Sequence, residues 1–319
     1  MAHSLEEAAR HFNDSISKIE ETIARAKTKL CAVRAKRPRP HLDDKILVDW
    51  NGLMISSLAF ASRVLNDEHY AQAATKATNF ILKKLKNNKG RLLHRYREGE
   101  AAILGTLDDY AFFIHGLLDL YEATFAVEYL QEAKRLTDEM IHLFWDEQGE
   151  GFFFTAEDSE ELLFKQKEIY DGAIPSGNSL ALLDLERLAH ITLEENLTTK
   201  VEILLKTFAS EVANRPSAYT QFLIGLDFVL GPSAEIVLAE GKEPETLNKL
   251  IQDIYQRFLP NKVVIRRPLG GKELNLLVSV VPFIKEQEPQ AGKTTAYVCQ
   301  NHICQRPVTS LEQFTPLLK

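Results

Sequence analysis

The stretch DDYAFFIHGLLDLYEAT, Asp108 to Thr124, decides the fold. Behind two adjacent acids its first turns are apolar around the whole circumference, and a helix without a wet side must be surrounded by protein. NGLMISSLAFASRVL (Asn51–Leu65), uncharged until Arg63, and SGNSLALLDLERLAHIT (Ser176–Thr192) are built the same way. Between these stretches run helices of a second kind, with one wet side. Tyr70, Ala73, Ala74, Ala77, Phe80 and Ile81 keep the i, i+3, i+4, i+7 spacing. Leu130, Ala133, Thr137, Met140, Ile141 and Phe144 repeat it, as do Val201, Leu204, Leu205, Phe208, Ala209 and Val212. An enclosed helix joined by a short connection to a one-sided helix is an αα-hairpin with an inner and an outer layer. SAYTQFLIGLDFVL (Ser217–Leu230) reads as a further inner helix. The pattern predicts a mainly α fold, part of an (α/α)6 toroid over residues 41–231, in preference to a simple bundle.

Both flanks differ from this body. SISKIEETIARAKTKLCAVRAKR (Ser15–Arg37) carries Ile16, Ile19, Ile23, Ala26, Leu30 and Val33 on one face of a long helix. Asp14 or Ser15 is its cap, Pro38 and Pro40 end it, and residues 1–40 form an N-terminal helical segment. Its stripe suits packing on the helical body or a short coiled-coil seam. After Gly231-Pro232 the pattern becomes strand AEIVLA, helix PETLNKLIQDIYQRF, strand KVVIRR and strand TAYVC, a small α/β region over 232–319.

Composition excludes several classes. The 319 residues are 45% hydrophobic and carry a net charge of −7, with 38 basic and 45 acidic residues interspersed, which is no nucleic-acid-binding polycation. No apolar run approaches membrane-span length, and MAHSLEEAARHF lacks the build of a signal peptide. Three cysteines do not make a disulfide framework, so the expectation is a reducing, cytoplasmic setting. In CQNHIC, Cys299, His302 and Cys304 are too few for a closed zinc site; the cysteines read as a pair of small half-buried residues at a strand end, with a redox pair as the alternative. AGKTT is not a phosphate loop, since Gln287 stands where that motif needs glycine. GEGFFF (Gly149–Phe154) reads as a turn and a strand on one rim of a cleft. Neither metal nor cofactor is expected.

Polar clusters stand before the inner helices: Asp43, Asp44, Trp50 and Asn51 in LDDKILVDWNG, then Asp108, Asp109 and Tyr110, then Asp171, Ser176 and Asn178. In a ring of hairpins equivalent helix ends converge on one mouth. Carbohydrate chemistry uses one carboxyl to give a proton and another to take it or attack, aromatic faces to stack on sugars and amides to bond hydroxyls. Adjacent residues on a helix point about 100° apart, so one acid of each pair faces the centre; Asp44 and Asp109 are the acid–base candidates. The other cluster residues are expected to bind a polyhydroxylated ligand. His41 and His115 are further acid–base candidates, although His115, mid-helix among apolar residues, reads as a satisfied core histidine. The same Asp, Ser and Asn residues are also ordinary helix caps.

RPRPHLDDKILVDWNGLMISSLA, LDDYAFFIHGLLDLYEAT, DGAIPSGNSLALLDLERL and AYVCQNHICQRPV, in this order, resemble the C-terminal half of the YyaL-like proteins, the family of spermatogenesis-associated protein 20. The resemblance implies a six-hairpin toroid similar to N-acylglucosamine 2-epimerases and six-hairpin glycosidases, preceded in the family by a thioredoxin-like domain that this sequence does not contain. It implies a fragment or naturally shortened form with an incomplete ring, open and apolar on one side and prone to self-association. Three functions compete: a sugar-directed enzyme, a non-catalytic sugar-binding or scaffold module, and a redox accessory of a thioredoxin-like domain.

Overall fold

The computed structural model describes residues 3–159, 163–300 and 303–318. They fall into two compact units, Met1–Asp44 and Lys45–Lys319. In the first unit α1 (Leu5–Phe12) precedes α2 (Ile16–Ala35). A capping box between Ser4 and Glu7 starts α1, and left-handed Asn13 ends it. The Ser15 hydroxyl caps α2 by accepting from the Lys18 N–H. No residue of α2 is buried, and Ile16, Leu30 and Val33 are exposed.

The second unit runs β1 (Ile46–Leu47), α3 (Val48–Leu65), α4 (Glu68–Lys84), β2 (Leu93–Arg97), β3 (Glu100–Leu104), α5 (Leu107–Thr124), α6 (Val127–Phe144), α7 (Gly177–Thr192), α8 (Glu195–Asn214) and α9 (Thr220–Leu230). Then follow β4 (Ala234–Ala239), α10 (Pro244–Tyr255), β5 (Lys262–Arg267), α11 (Gly271–Val280), β6 (Thr295–Gln300), β7 (Ile303–Cys304) and α12 (Leu311–Phe314). Helix α3 packs on α4, α5 on α6 and α7 on α8, while α3, α5, α7 and α9 touch one another in that order. This is an inner row of four helices backed by three outer ones, a partial (α/α)6 toroid.

Position in the row decides how much of each helix is covered. Every residue of α7 is buried, and nearly all of α5. Helices α3 and α9 end the row, with an inner neighbour on one side, so Trp50 (60% exposed), Met54 (57%), Phe60 and Val64 of α3 and Ile224 and Leu230 of α9 face solvent. The expectation of an all-round enclosure for Asn51–Leu65 is thereby corrected. The buried face of α3 comes unusually near α5: a Cβ on Gly52 would lie 2.4 Å from the Phe112 carbonyl oxygen.

The C-terminal sheet has the order β5-β4-β6-β7. Strands β4 and β5 are parallel and joined through α10, whereas β6 runs antiparallel to β4. Ile236, Leu238 and Val264 belong to the same core as Leu117 and Leu185 of the inner helices. Cys299 and Cys304 pair across β6 and β7 and are joined by a disulfide, where the expectation was a pair of small half-buried residues with a redox pair as the alternative. His302 lies outside the described residues. A three-stranded sheet, β1-β2-β3, was not read from the sequence. Arg97 pairs with Glu100 around Glu98-Gly99, both left-handed (φ 51° and 88°), a two-residue turn that matches strand twist. In GEGFFF the expected strand is a single bridge between Trp145 and Phe152. Among the described residues no helix is long and apolar enough to cross a membrane.

Candidate acid–base site

Acids tie the N-terminal ends of the inner helices together, because each end presents amides with no partner inside its own helix. Asp109, 0% exposed, forms a capping box with Thr106, accepting from the Thr106 N–H (2.8 Å) and hydroxyl (3.1 Å). Its other oxygen accepts from the Asp49 N–H of α3 at 3.2 Å. Asp108 reaches the opposite way, toward the amide of Gly177 at the start of α7. Asp171 accepts from the Ser176 N–H at 3.0 Å and from the Gln221 and Phe222 N–H groups of α9 at 2.8 and 3.1 Å. Three aspartates thus link four helix ends in sequence.

At the α3–α5 link a fourth group enters from β2. The Nδ1–H of His94 donates to Asp109 and lies 3.0 Å from both of its oxygens. One ligating atom each from Asp49, His94 and Asp109 lie within 4.8 Å of one another. Burial, then the Asp109 charge, raises Asp49 above the usual carboxylate range. Burial and the charges of Asp109, Asp49 and Glu168 push Asp108 up to about 7. The hydrogen bond to Asp109 raises His94. Asp49 and His94, both raised, meet at the α3–α5 link, and the raised Asp108 lies at the neighbouring α5–α7 link; carboxyls raised in this way are candidates for acid–base chemistry. Metal ligation suits the trio poorly, since both oxygens of Asp109 are already taken up by Thr106, Asp49 and His94.

The remaining predicted residues are placed as follows. Trp50 is exposed beside Asp49, and its backbone N–H donates to that carboxylate at 2.7 Å. The Asn51 amide donates to the Leu47 carbonyl. Tyr110 is fully buried against Phe144, its hydroxyl accepting from Arg91 and the Leu92 N–H. Ser176 caps α7 through the Ser179 N–H. The Asn178 side chain is spent on the backbone of Phe152 and Glu168. Asp43 and Asp44 are exposed at the end of the first unit, whereas the junction is built from second-unit residues. His94 and Asp49 were missed. The alternating RLLHRYR before a Glu-Gly turn was the available hairpin signal.

A second polar group lies toward the other ends of the inner helices. Arg187 donates to Asp119 (3.0 Å) and Glu122 (3.3 Å), Arg63 to Asp119 (3.1 Å) and to Glu122, and Ser56 to Asp119 (2.5 Å). His115 is held between Asp184 (2.7 Å) and Asp119 (3.6 Å), a satisfied core histidine. Burial alone would raise Asp119, but Arg187 and Arg63 hold it well below the usual range. Cavities of about 560 and 250 Å³ flank this network and share Arg63, Glu122 and Tyr255 in their walls.

No family model matches the chain. It is 32% identical over 326 residues, 99% of its length, to spermatogenesis-associated protein 20 of Homo sapiens and 31% identical to that of Rattus norvegicus. It spans about two fifths (41%) of the length of these curated relatives. Among solved structures it is similar to cellobiose 2-epimerase from Bacillus thermoamylovorans (15% identity, TM-score 0.47, 84% of this chain and 68% of that one). It is also similar to the α-1,6-mannanase of Salegentibacter sp. (14% identity, TM-score 0.45, 91% and 78%).

Proposed function

We propose, from the similarity of nearly the whole chain to part of spermatogenesis-associated protein 20, that it is a member of that family and that the junction of α3, β2 and α5 performs acid–base chemistry on a carbohydrate-class, polyhydroxylated ligand. The observation that carries this reading is the meeting of Asp49, His94 and Asp109 within 4.8 Å of one another, next in sequence to Asp108, whose carboxyl is pushed up to about 7 by burial and the charges of Asp109, Asp49 and Glu168. Near pH 7 such a carboxyl is divided between its protonated and ionised forms, so it can give or accept a proton without a large penalty. In this reading Asp108 and His94 exchange protons with the ligand. Asp109 orients His94, Asp49 supplies the second carboxyl, and exposed Trp50 offers a face to the sugar ring.

Saturation-transfer NMR and turnover assays with a panel of neutral mono- and disaccharides test this proposal. Asp108→Asn and His94→Gln are expected to lose activity by roughly 10²-fold or more, and Trp50→Ala to weaken binding about tenfold. Asp44→Asn is the companion variant for the first unit; a loss there would assign it an acid–base role as well. Sugar binding and turnover untouched in both Asp108→Asn and His94→Gln would sink the reading.

A specific observation favours a second reading, a non-catalytic scaffold. Trp50, Met54, Phe60 and Val64 make an exposed apolar stripe along α3, and apolar patches of this kind are used for association. Sedimentation at micromolar concentration should then show self-association that Phe60→Glu weakens. A wild-type monomer under those conditions contradicts it.

A further inference from the structure

We propose that Cys299 and Cys304 form a thiol–disulfide exchange site whose substrate is a small, neutral dithiol. Their meeting is dictated by register. The Gln305 N–H donates to the Val298 carbonyl at 2.8 Å, which makes 298/305 a hydrogen-bonded pair. The neighbouring 299/304 pair is then the narrow, non-hydrogen-bonded kind, where facing side chains come closest. Strand β7 is two residues long and stands at the sheet edge, so the bond is approachable from outside. Cys304 is exposed and Cys299 half-buried.

Both cysteines line a cavity of about 250 Å³ together with His190, Glu235, Phe283 and Tyr297. His190 bonds to Glu235 (2.6 Å) and Glu186 (3.0 Å). The Glu235 carboxylate lines this cavity, which disfavours an anionic thiol such as glutathione and favours a neutral one. Reduction need not unfold the region. Ala296 and Val308 exchange both backbone hydrogen bonds (2.8 and 3.1 Å), holding the chain beyond β7 to β6 independently of the sulfurs.

One thiolate of the dithiol attacks Cys304 Sγ, forming a mixed disulfide as the Cys299–Cys304 bond breaks and Cys299 leaves as a thiolate. The second thiol of the reagent then attacks its own sulfur in that mixed disulfide and releases Cys304. The protein gains two electrons and the two protons of the dithiol, which departs as a cyclic disulfide.

The test incubates the folded chain with dithiothreitol or glutathione and counts thiols by alkylation and mass spectrometry, with circular dichroism monitoring the fold. Dithiothreitol is expected to open the bond without loss of folded signal, and glutathione at equal thiolate to react roughly tenfold more slowly. With glutathione disulfide, Cys299→Ser should form a mixed disulfide at Cys304 faster than Cys304→Ser forms one at Cys299. A bond that yields only in denaturant, or a folded chain that keeps both thiols in oxidised dithiothreitol, overturns the exchange site. Equal rates with the two reductants overturn its preference for a neutral thiol.

Discussion

Asp108→Asn is expected to stabilise the chain by about 2–3 kcal/mol at pH 8 while leaving its stability at pH 4 unchanged. The folded protein moves this carboxyl from its ordinary 3.8 to about 7. Between those values the native state holds a proton that the unfolded state has released. Stability therefore falls as pH rises from about 4 to about 7, and the loss is complete above that window. The full shift corresponds to roughly 4 kcal/mol at about 1.36 kcal/mol for each tenfold change in proton affinity, and partial solvent exposure trims it. Asparagine keeps the size and an acceptor for the Gly177 amide but carries no charge beside Asp109, Asp49 and Glu168. Denaturant melts at the two pH values check the expectation. A substitution that stabilises the fold while removing function marks a residue retained for its chemistry.

Asp119→Ala should cost about 3–5 kcal/mol, a large share of the stability of an ordinary domain. It strips Arg63 and Arg187 of a shared carboxylate in a place where neither guanidinium reaches water easily. Glu122 alone would then face two buried cations. The double variant Asp119→Leu/Arg187→Met removes one charge of each sign and leaves Arg63 with Glu122 and His115 with Asp184, so it should recover much of the loss. Urea melts of the two variants at pH 7 measure both effects. A double variant no better than the single one would mean that the network stabilises through its shape rather than its charge balance.

The hairpin order was legible because burial leaves a period in the sequence: Leu130 to Phe144 and Val201 to Phe208 repeat at helical spacing, and the enclosed α5 and α7 show no wet side. Periodicity reports how much of a helix is apolar but not what covers it, so Met54 on α3 and Leu117 on α5 look alike in sequence and differ wholly in exposure. The polar helix ends were legible as places, less so as roles. Thr106 and Asp109 carry capping-box spacing, a sign that Asp109 is bound to its own helix end and that its neighbour Asp108 is the more accessible acid. The hairpin that carries His94 left a local signal in its Glu98-Gly99 turn, but its meeting with Asp109 of α5 and Asp49 of α3 depends on how the elements pack and leaves no trace in the sequence. The charges on otherwise apolar helices, Arg63, Asp119 and Arg187, were visible, and buried charge demands a partner; which partner depends on how the helices line up in three dimensions.

The most direct test of the acid–base site is the titration of the Asp108 carboxyl, followed by carbon-13 NMR in the folded chain and assigned by its loss in Asp108→Asn. The account predicts a midpoint of about 7, falling toward the ordinary carboxylate range when Asp49→Asn removes one neighbouring charge. A midpoint near 4 in the wild-type protein would contradict it, leaving the acids at the ends of α3 and α5 as helix caps and nothing more.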